Sequence, residues 1–180
     1  TDVYPHTVYG RNAVYEYGHH GNAILSRFPI LLSENLDISD HRFEQRGLLH
    51  AVTDLGFGDV HLLCAHFGLF ARSRQRQAEA LIERVRAVVP KEAPLVVAGD
   101  FNDWNNRLDR VICQALGAVE VADKAADARP VRTFPSHLPW LRLDRIYVRG
   151  FEVERAHALT GREWAQRSDH VPLLAELARP

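Results

Sequence analysis

The chain of 180 residues contains no methionine and only two cysteines. Cys64 lies within Val60-His61-Leu62-Leu63-Cys64-Ala65 and Cys113 within a helical pattern. The sequence therefore predicts two reduced core thiols rather than a disulfide framework, which fits a reducing compartment. No apolar stretch approaches the roughly 20 residues of a membrane span, and no secretory signal is visible. Together these absences predict a cytoplasmic protein. The chain starts at Thr1, so the expectation is a processed, trimmed or truncated N-terminus, and a removed signal stays open. Neither sign of charge dominates: Lys and Arg number 22, Asp and Glu 23, and the net charge is −1. That is not the footprint of a protein holding duplex nucleic acid mainly by charge. A local basic patch remains compatible with one phosphate-rich substrate. No GxGxxG or Walker loop points to a nucleotide cofactor, and no repeat or low-complexity tract appears.

What is present is apolar, β-branched and punctuated. The length favours one domain, taken as residues 1–180, with a sizeable core. Thr1 to His20 is rich in Tyr, His and Gly and reads as surface loop or edge strand. Gly21 to Ser26 reads as a strand, and another extended stretch runs from about Ile30 to Leu36. Leu48 to Leu55 and Val60 to Phe67 flank Gly56-Phe57-Gly58-Asp59, a hairpin signal. Arg72 to Val89 places Ala78, Leu81, Ile82, Val85, Val88 and Val89 at helical spacing, and Pro90 ends it. Its arginines read as a solvated face. Pro94 to Gly99 is fully apolar, as in the middle of a covered sheet. A second helix fits Asn106 to Leu116, stopped by Gly117. Ala122 to Pro130 reads as a polar connection, and Arg132 to Pro135 as a short strand. Leu143 to Arg149, Phe151 to Leu159 and Val171 to Leu177 complete the strands. Two helices among many hairpin-linked strands favour a mixed α/β layered sandwich over a doubly wound parallel fold.

Several strands stop at unusual residues. The strings are Ala65-His66-Phe67-Gly68, Gly99-Asp100-Phe101-Asn102-Asp103, Leu143-Asp144-Arg145-Ile146 and Ser168-Asp169-His170-Val171-Pro172-Leu173. Strands normally end at Gly, Asn or Asp because the chain must turn. These ends also carry the oxygens that suit Mg²⁺ and the imidazoles that suit proton transfer. Asp100 and Asn102 alternate with Phe101 and share a face if the strand stays extended. Asp103 and Asn106 read equally well as Asx caps, and Trp104 as a wall. Asp169 and His170 diverge from each other and serve two jobs on one rim. Asp144, at an apolar strand start, needs a cation or donors. Arg145 or Arg142 is the ordinary partner, and His170 the functional one, as a carboxylate–imidazole dyad. His66 is a hydrogen-bonded core or edge histidine, or in this context a phosphate ligand or leaving-group acid. The remaining histidines, His50 and His61 among them, join no constellation.

Together with Gly21-Asn22-Ala23-Ile24-Leu25-Ser26-Arg27-Phe28-Pro29, these strings resemble the endonuclease/exonuclease/phosphatase (DNase I-like) superfamily. The resemblance runs from about Gly10 to the C-terminus. It implies an α+β, four-layer sandwich: two mostly antiparallel β-sheets flanked by helices. It implies hydrolysis of a phosphate ester with Mg²⁺ or Mn²⁺, by in-line attack of water on phosphorus. The substrate would be a nucleic acid, a nucleotide or a phospholipid headgroup. Carried over by position, Asp100 and Asn102 orient water and phosphate and help hold the metal. Asp169 supports the metal, His170 and Asp144 form the dyad, and His66 contacts the phosphate.

The chain departs from the family's pattern at its front. The Asn of the family's first strand and the principal metal-binding Glu should precede Tyr9-Gly10, and neither is in this chain. Glu16 lies in the wrong segment to replace that Glu. The sequence therefore implies an N-terminally incomplete domain. A missing strand leaves a neighbouring sheet edge unpaired, which invites a homodimer. The alternative function is a truncated or degenerate member that binds phosphate groups or a partner without turnover.

Overall fold

The computed structural model describes residues 3–124 and 131–179. Its frame is a six-stranded mixed sheet in the order β3-β4-β5-β6-β8-β7. The strands are β3 (Ile30–Asp37), β4 (Gly47–Asp54), β5 (Asp59–His66), β6 (Leu95–Asp100), β7 (Val119–Glu120) and β8 (Asp144–Arg149). β4 and β5 form the expected hairpin, with Gly56 and Gly58 at positive φ in its turn. β5 and β6 run parallel, so the chain needs a crossover, and α1 (Ala71–Val88) supplies it. The fold is therefore α+β on a mixed sheet.

Sequence pattern explains the layers. β4 is buried along Gly47 to Thr53, because both faces of the sheet are covered. One face, through Leu48, Leu63, Val97 and Tyr147, packs on Leu81 and Val85 of α1 and on Ile112 of α2 (Asp109–Leu116). Over the other face lie two separate two-stranded sheets. One is the hairpin of β1 (His6–Tyr15) and β2 (Gly18–Ser26), beside β3, β4 and β5. The other pairs β9 (Glu152–Ala158) with β10 (Leu173–Ala178), beside β8. Thus the second sheet of the expected sandwich is present as two pieces. Asn22 stitches the first piece to the frame, its amide donating to the carbonyls of Gly47 at 2.8 Å and Cys64 at 3.1 Å.

Several local expectations change. Of the two readings of Thr1 to His20, the edge strand holds, since His6 to Tyr15 is one strand of a two-stranded hairpin, and the loop reading falls away there. α2 begins at Asp109, because Asp103 to Leu108 forms a capped turn first. Of the polar connection Ala122 to Pro130, residues 122–124 belong to a short helix, α3 (Val121–Lys124), and 125–130 lie outside the described residues. Another, α4 (Arg162–Ala165), leads into Ser168. Arg132 to Pro135 contributes only one bridge, Phe134 to Leu141. Both cysteines are free thiols. None of the described helices is long and apolar enough to cross a membrane.

Candidate active site

Strand register brings the site together. His66 closes β5, Asp100 closes β6 and Asp144 opens β8. His66 is the register partner of Asp100, and Asp100 of Asp144. Three side chains far apart in sequence therefore stand side by side at one end of adjoining strands. The β6 end needs glycine. Gly99 has φ +150°, and a Cβ there would lie 1.9 Å from the Ala65 carbonyl oxygen.

His170, in the loop before β10, completes the group. Its Nδ1 lies 2.7 Å from Asp144 Oδ2, and its Nε2 lies 3.9 Å from Asp100 Oδ2. Neither arginine considered for Asp144 takes it. Arg142 pairs with Glu120 at 2.9 Å and Asp123 at 3.3 Å. Arg145 is buried and donates to the Asn106 side-chain oxygen. His66 Nε2 lies 3.5 Å from Asp100 Oδ2. The Phe134 ring packs against His170, with centroids 4.9 Å apart.

Asn102 reaches the site by a different route from the one its alternation suggests. The strand ends at Asp100, and Asn102 adopts φ +48°, a conformation that Asn tolerates. Its backbone N–H donates to Asp100 Oδ1 at 2.9 Å. Its side-chain amide donates to the Phe67 carbonyl at 2.9 Å, which leaves Oδ1 free. Asp103 turns inward instead and accepts from the backbone N–H groups of Arg107 at 3.1 Å and Leu108 at 2.8 Å. Trp104 is a wall of the cleft, as expected, and Arg74 sits 4.2 Å from its ring centroid. Arg74 is therefore buried rather than on the solvated helix face.

His66, Asp100, Asn102, Trp104, Phe134, Asp144 and His170 line one open cleft of about 610 Å³, joined by exposed Asp169 on the rim. The cleft also contains Arg46, which the sequence did not single out. Arg46 pairs with Glu44 at 3.2 Å, and Glu44 accepts the Leu69 N–H at 3.1 Å. Gly68 makes room for that pair: a Cβ there would lie 2.3 Å from Glu44 Oε2. The available signal was Glu44-Gln45-Arg46-Gly47, a charged pair immediately before a buried strand. Glu16 sits in the β1–β2 turn. Among the described residues no three His, Cys, Asp or Glu side chains are gathered closely enough to hold a metal ion by themselves.

The electrostatics are uneven. Burial, and then the neighbouring Asp144 carboxylate, push the Asp100 carboxyl up to about 6. The hydrogen bond that His170 donates to Asp144 raises His170, so its charged form is favoured. His66 is pushed down to about 4, by burial against the protein and by the positive charge of Arg46 and His170. Its ring is nevertheless half-exposed to the cleft, so neutral His66 remains accessible. The site thus holds a half-buried acid, a carboxylate-anchored imidazole and a neutral imidazole around one space.

Residues 2–170 match the endonuclease/exonuclease/phosphatase family. The chain belongs to this family. Protein YbhP of Escherichia coli (strain K12) is 45% identical over 171 residues, covering 94% of this chain and 67% of that protein. Among solved structures, an endonuclease/exonuclease/phosphatase from Beutenbergia cavernae has a TM-score of 0.82 at 21% identity, covering 99% of this chain and 54% of that one. The mannosyl-6-phosphatase of Bacteroides thetaiotaomicron has a TM-score of 0.76 at 21% identity, covering 97% of this chain and 78% of that one. These likenesses support the same layered fold for this family member.

Proposed function

We propose that this protein hydrolyses phosphate esters with Mg²⁺ or Mn²⁺, water attacking phosphorus in line with the departing oxygen. The observation that carries the proposal is the register of His66, Asp100 and Asp144, with His170 fastened to Asp144 at 2.7 Å, on one cleft. Family membership supports the phosphoester class.

The donor set suits a hard cation. Asp100, Asp169 and the free Oδ1 of Asn102 are all oxygen donors on the cleft. Mg²⁺ commonly takes one or two carboxylates and completes its shell with water and substrate phosphate. That matches a cleft without a closed protein cage among the described residues. Burial, and then the Asp144 carboxylate at its register partner, disfavour an uncompensated charge on Asp100. Asp100, Asn102 and Asp169 would hold the cation, which when bound offsets charge on the phosphoryl oxygens.

The chain's own side chains do the rest. Asp100 and Asn102 orient the water and the phosphate. Asp144 fixes the His170 tautomer with the proton on Nδ1 and stabilises the imidazolium. His170 then presents Nε2 to the reacting group. Neutral His66 contacts a phosphoryl oxygen through its ring N–H, and Arg46 adds a fixed positive charge.

The test is hydrolysis of bis-p-nitrophenyl phosphate. The expected result is turnover with Mg²⁺ or Mn²⁺ that EDTA abolishes and added metal restores. Turnover insensitive to EDTA would overturn the mechanism. Phosphate binding with no turnover would instead support a non-catalytic member.

A further inference from the structure

Large apolar side chains gather at the mouth of the cleft, on the loops that also supply its lining. Phe43 is 82% exposed, Phe70 65% and Leu69 56%. They form a ridge. The His41 ring lies 6.4 Å from Phe43 and 6.2 Å from Phe70, Leu69 adjoins Phe70, and Leu69 itself lines the cleft. The loop that supplies Phe134 carries two more, Leu138 at 71% and Trp140 at 61% exposed. Isolated exposed apolar residues are ordinary, but a contiguous cluster at one site signals contact with something apolar.

We propose that this rim seats the cleft on an anionic phospholipid surface, so that the substrate is a phosphoester presented by a membrane. The proposal rests on the phosphoesterase reading and narrows its substrate class. Phe, Trp and Leu are the side chains that enter the headgroup–acyl boundary. Cations accompany them. The Arg42 guanidinium lies 4.6 Å from the Phe43 ring centroid, and Arg72 stands exposed two residues beyond Phe70. Arginines beside an apolar ridge complement anionic headgroups. A single-stranded nucleic acid would also use aromatics and arginines. The ridge's aliphatic member, Leu69, offers a base no stacking face. The ridge therefore favours lipid.

The test is co-sedimentation of the protein with vesicles in EDTA, where no turnover is needed. Two vesicle types are compared: phosphatidylcholine alone, and phosphatidylcholine mixed with phosphatidylglycerol. The expected result is stronger binding to the mixed vesicles, weakened about tenfold or more in Phe43→Ser/Phe70→Ser. Arg42→Glu/Arg72→Glu should erase the preference for phosphatidylglycerol. Tryptophan fluorescence of the unaltered protein should be quenched by brominated acyl chains, a readout that depends on no variant. Absence of sedimentation and quenching, equal binding by the serine variant, or binding of oligothymidylate in place of vesicles would overturn the proposal. The two readings fail separately. Vesicle binding without phosphoester turnover removes the hydrolase and leaves the docking. Metal-dependent turnover in solution without vesicle binding does the reverse.

Discussion

Strand β5 carries a histidine near each end, and the two have opposite surroundings. His66 sits at the cleft, 3.5 Å from Asp100 and beside the His170–Asp144 pair. His61 lies in the sheet under α1, its Nδ1 3.0 Å from Nε2 of buried His50 on β4. Arg84 of α1 approaches His50 Nδ1 at 3.3 Å and holds Glu34 at 2.6 Å. At the cleft, burial pushes His66 itself down to about 4, but the carboxylate bonded to the neighbouring His170 favours a charged ring there. Under the helix, burial, and then Arg84 and His61, push His50 down to about 4. One cluster is open and supplied with acids. The other is closed and kept neutral. A histidine's role is set by the charge and access around it, and not by its being buried or paired.

The largest expected effect separates the clusters by turnover. His170→Ala should lower kcat on bis-p-nitrophenyl phosphate by about 10²–10⁴-fold, the range for a proton-transfer or charge-stabilising group. Circular dichroism should show the fold retained, since the ring sits at the rim. Asp100→Ala should fall in the same range. A near-normal rate in either variant breaks the assignment of the cleft.

The second expectation concerns the closed cluster. His50→Ala leaves His61 without its partner and Arg84 with Glu34 alone, and opens a cavity beneath α1. Denaturant unfolding should show a loss of about 2–3 kcal/mol. Turnover per folded molecule should stay near the starting value. A large loss of kcat with unchanged stability would mean that the two clusters are coupled.

The third uses pH. Folded His50 has its affinity for protons lowered from the ordinary 6.5 to about 4, so the unfolded chain binds more protons in that interval. Stability is complete above about pH 6.5 and is lost as pH falls towards 4. Arg84 and His61 oppose its protonation, and only Glu34 favours it. The loss should reach about 1–3 kcal/mol. His50→Gln should make that acid limb shallower, leaving the share that His66 contributes, and an unchanged limb would place the sensitivity elsewhere.

The same contrast shows how much the sequence carries. The strand-end motifs were legible because each places polar groups against an apolar run. Asp144 was legible as an acid that needed a partner. Which strands adjoin was not legible, and adjacency is what sets His66 beside Asp100 and Asp100 beside Asp144. Arg46 was missed because it lies in a loop with no period to mark it. His50 and His61 were missed as a pair because their contact spans two strands and depends on β4–β5 register. Arg74 and Arg84, read as solvated, turn inward to Trp104 and His50. Helix periodicity gives the mean face but not the reach of a long side chain.

The smallest expected effect compares two acids three residues apart. Asp100 lines the cleft, and Asp103, 1% exposed, accepts from backbone N–H groups ahead of α2. Asp103→Ala leaves those two donors unmet and should cost about 1–2 kcal/mol of stability, the scale of a lost cap. Asp103→Asn keeps one acceptor oxygen and should recover part of it. At Asp100 the order of effects reverses. Asn there should leave stability nearly unchanged, or raise it, because the buried carboxyl already resists ionisation. Paired denaturation and rate measurements on Asp100→Asn and Asp103→Asn therefore sharpen the division between chemistry and scaffold. If Asp103→Asn lost more turnover than Asp100→Asn, the capping acid would belong to the site, and the boundary drawn between the two would be wrong.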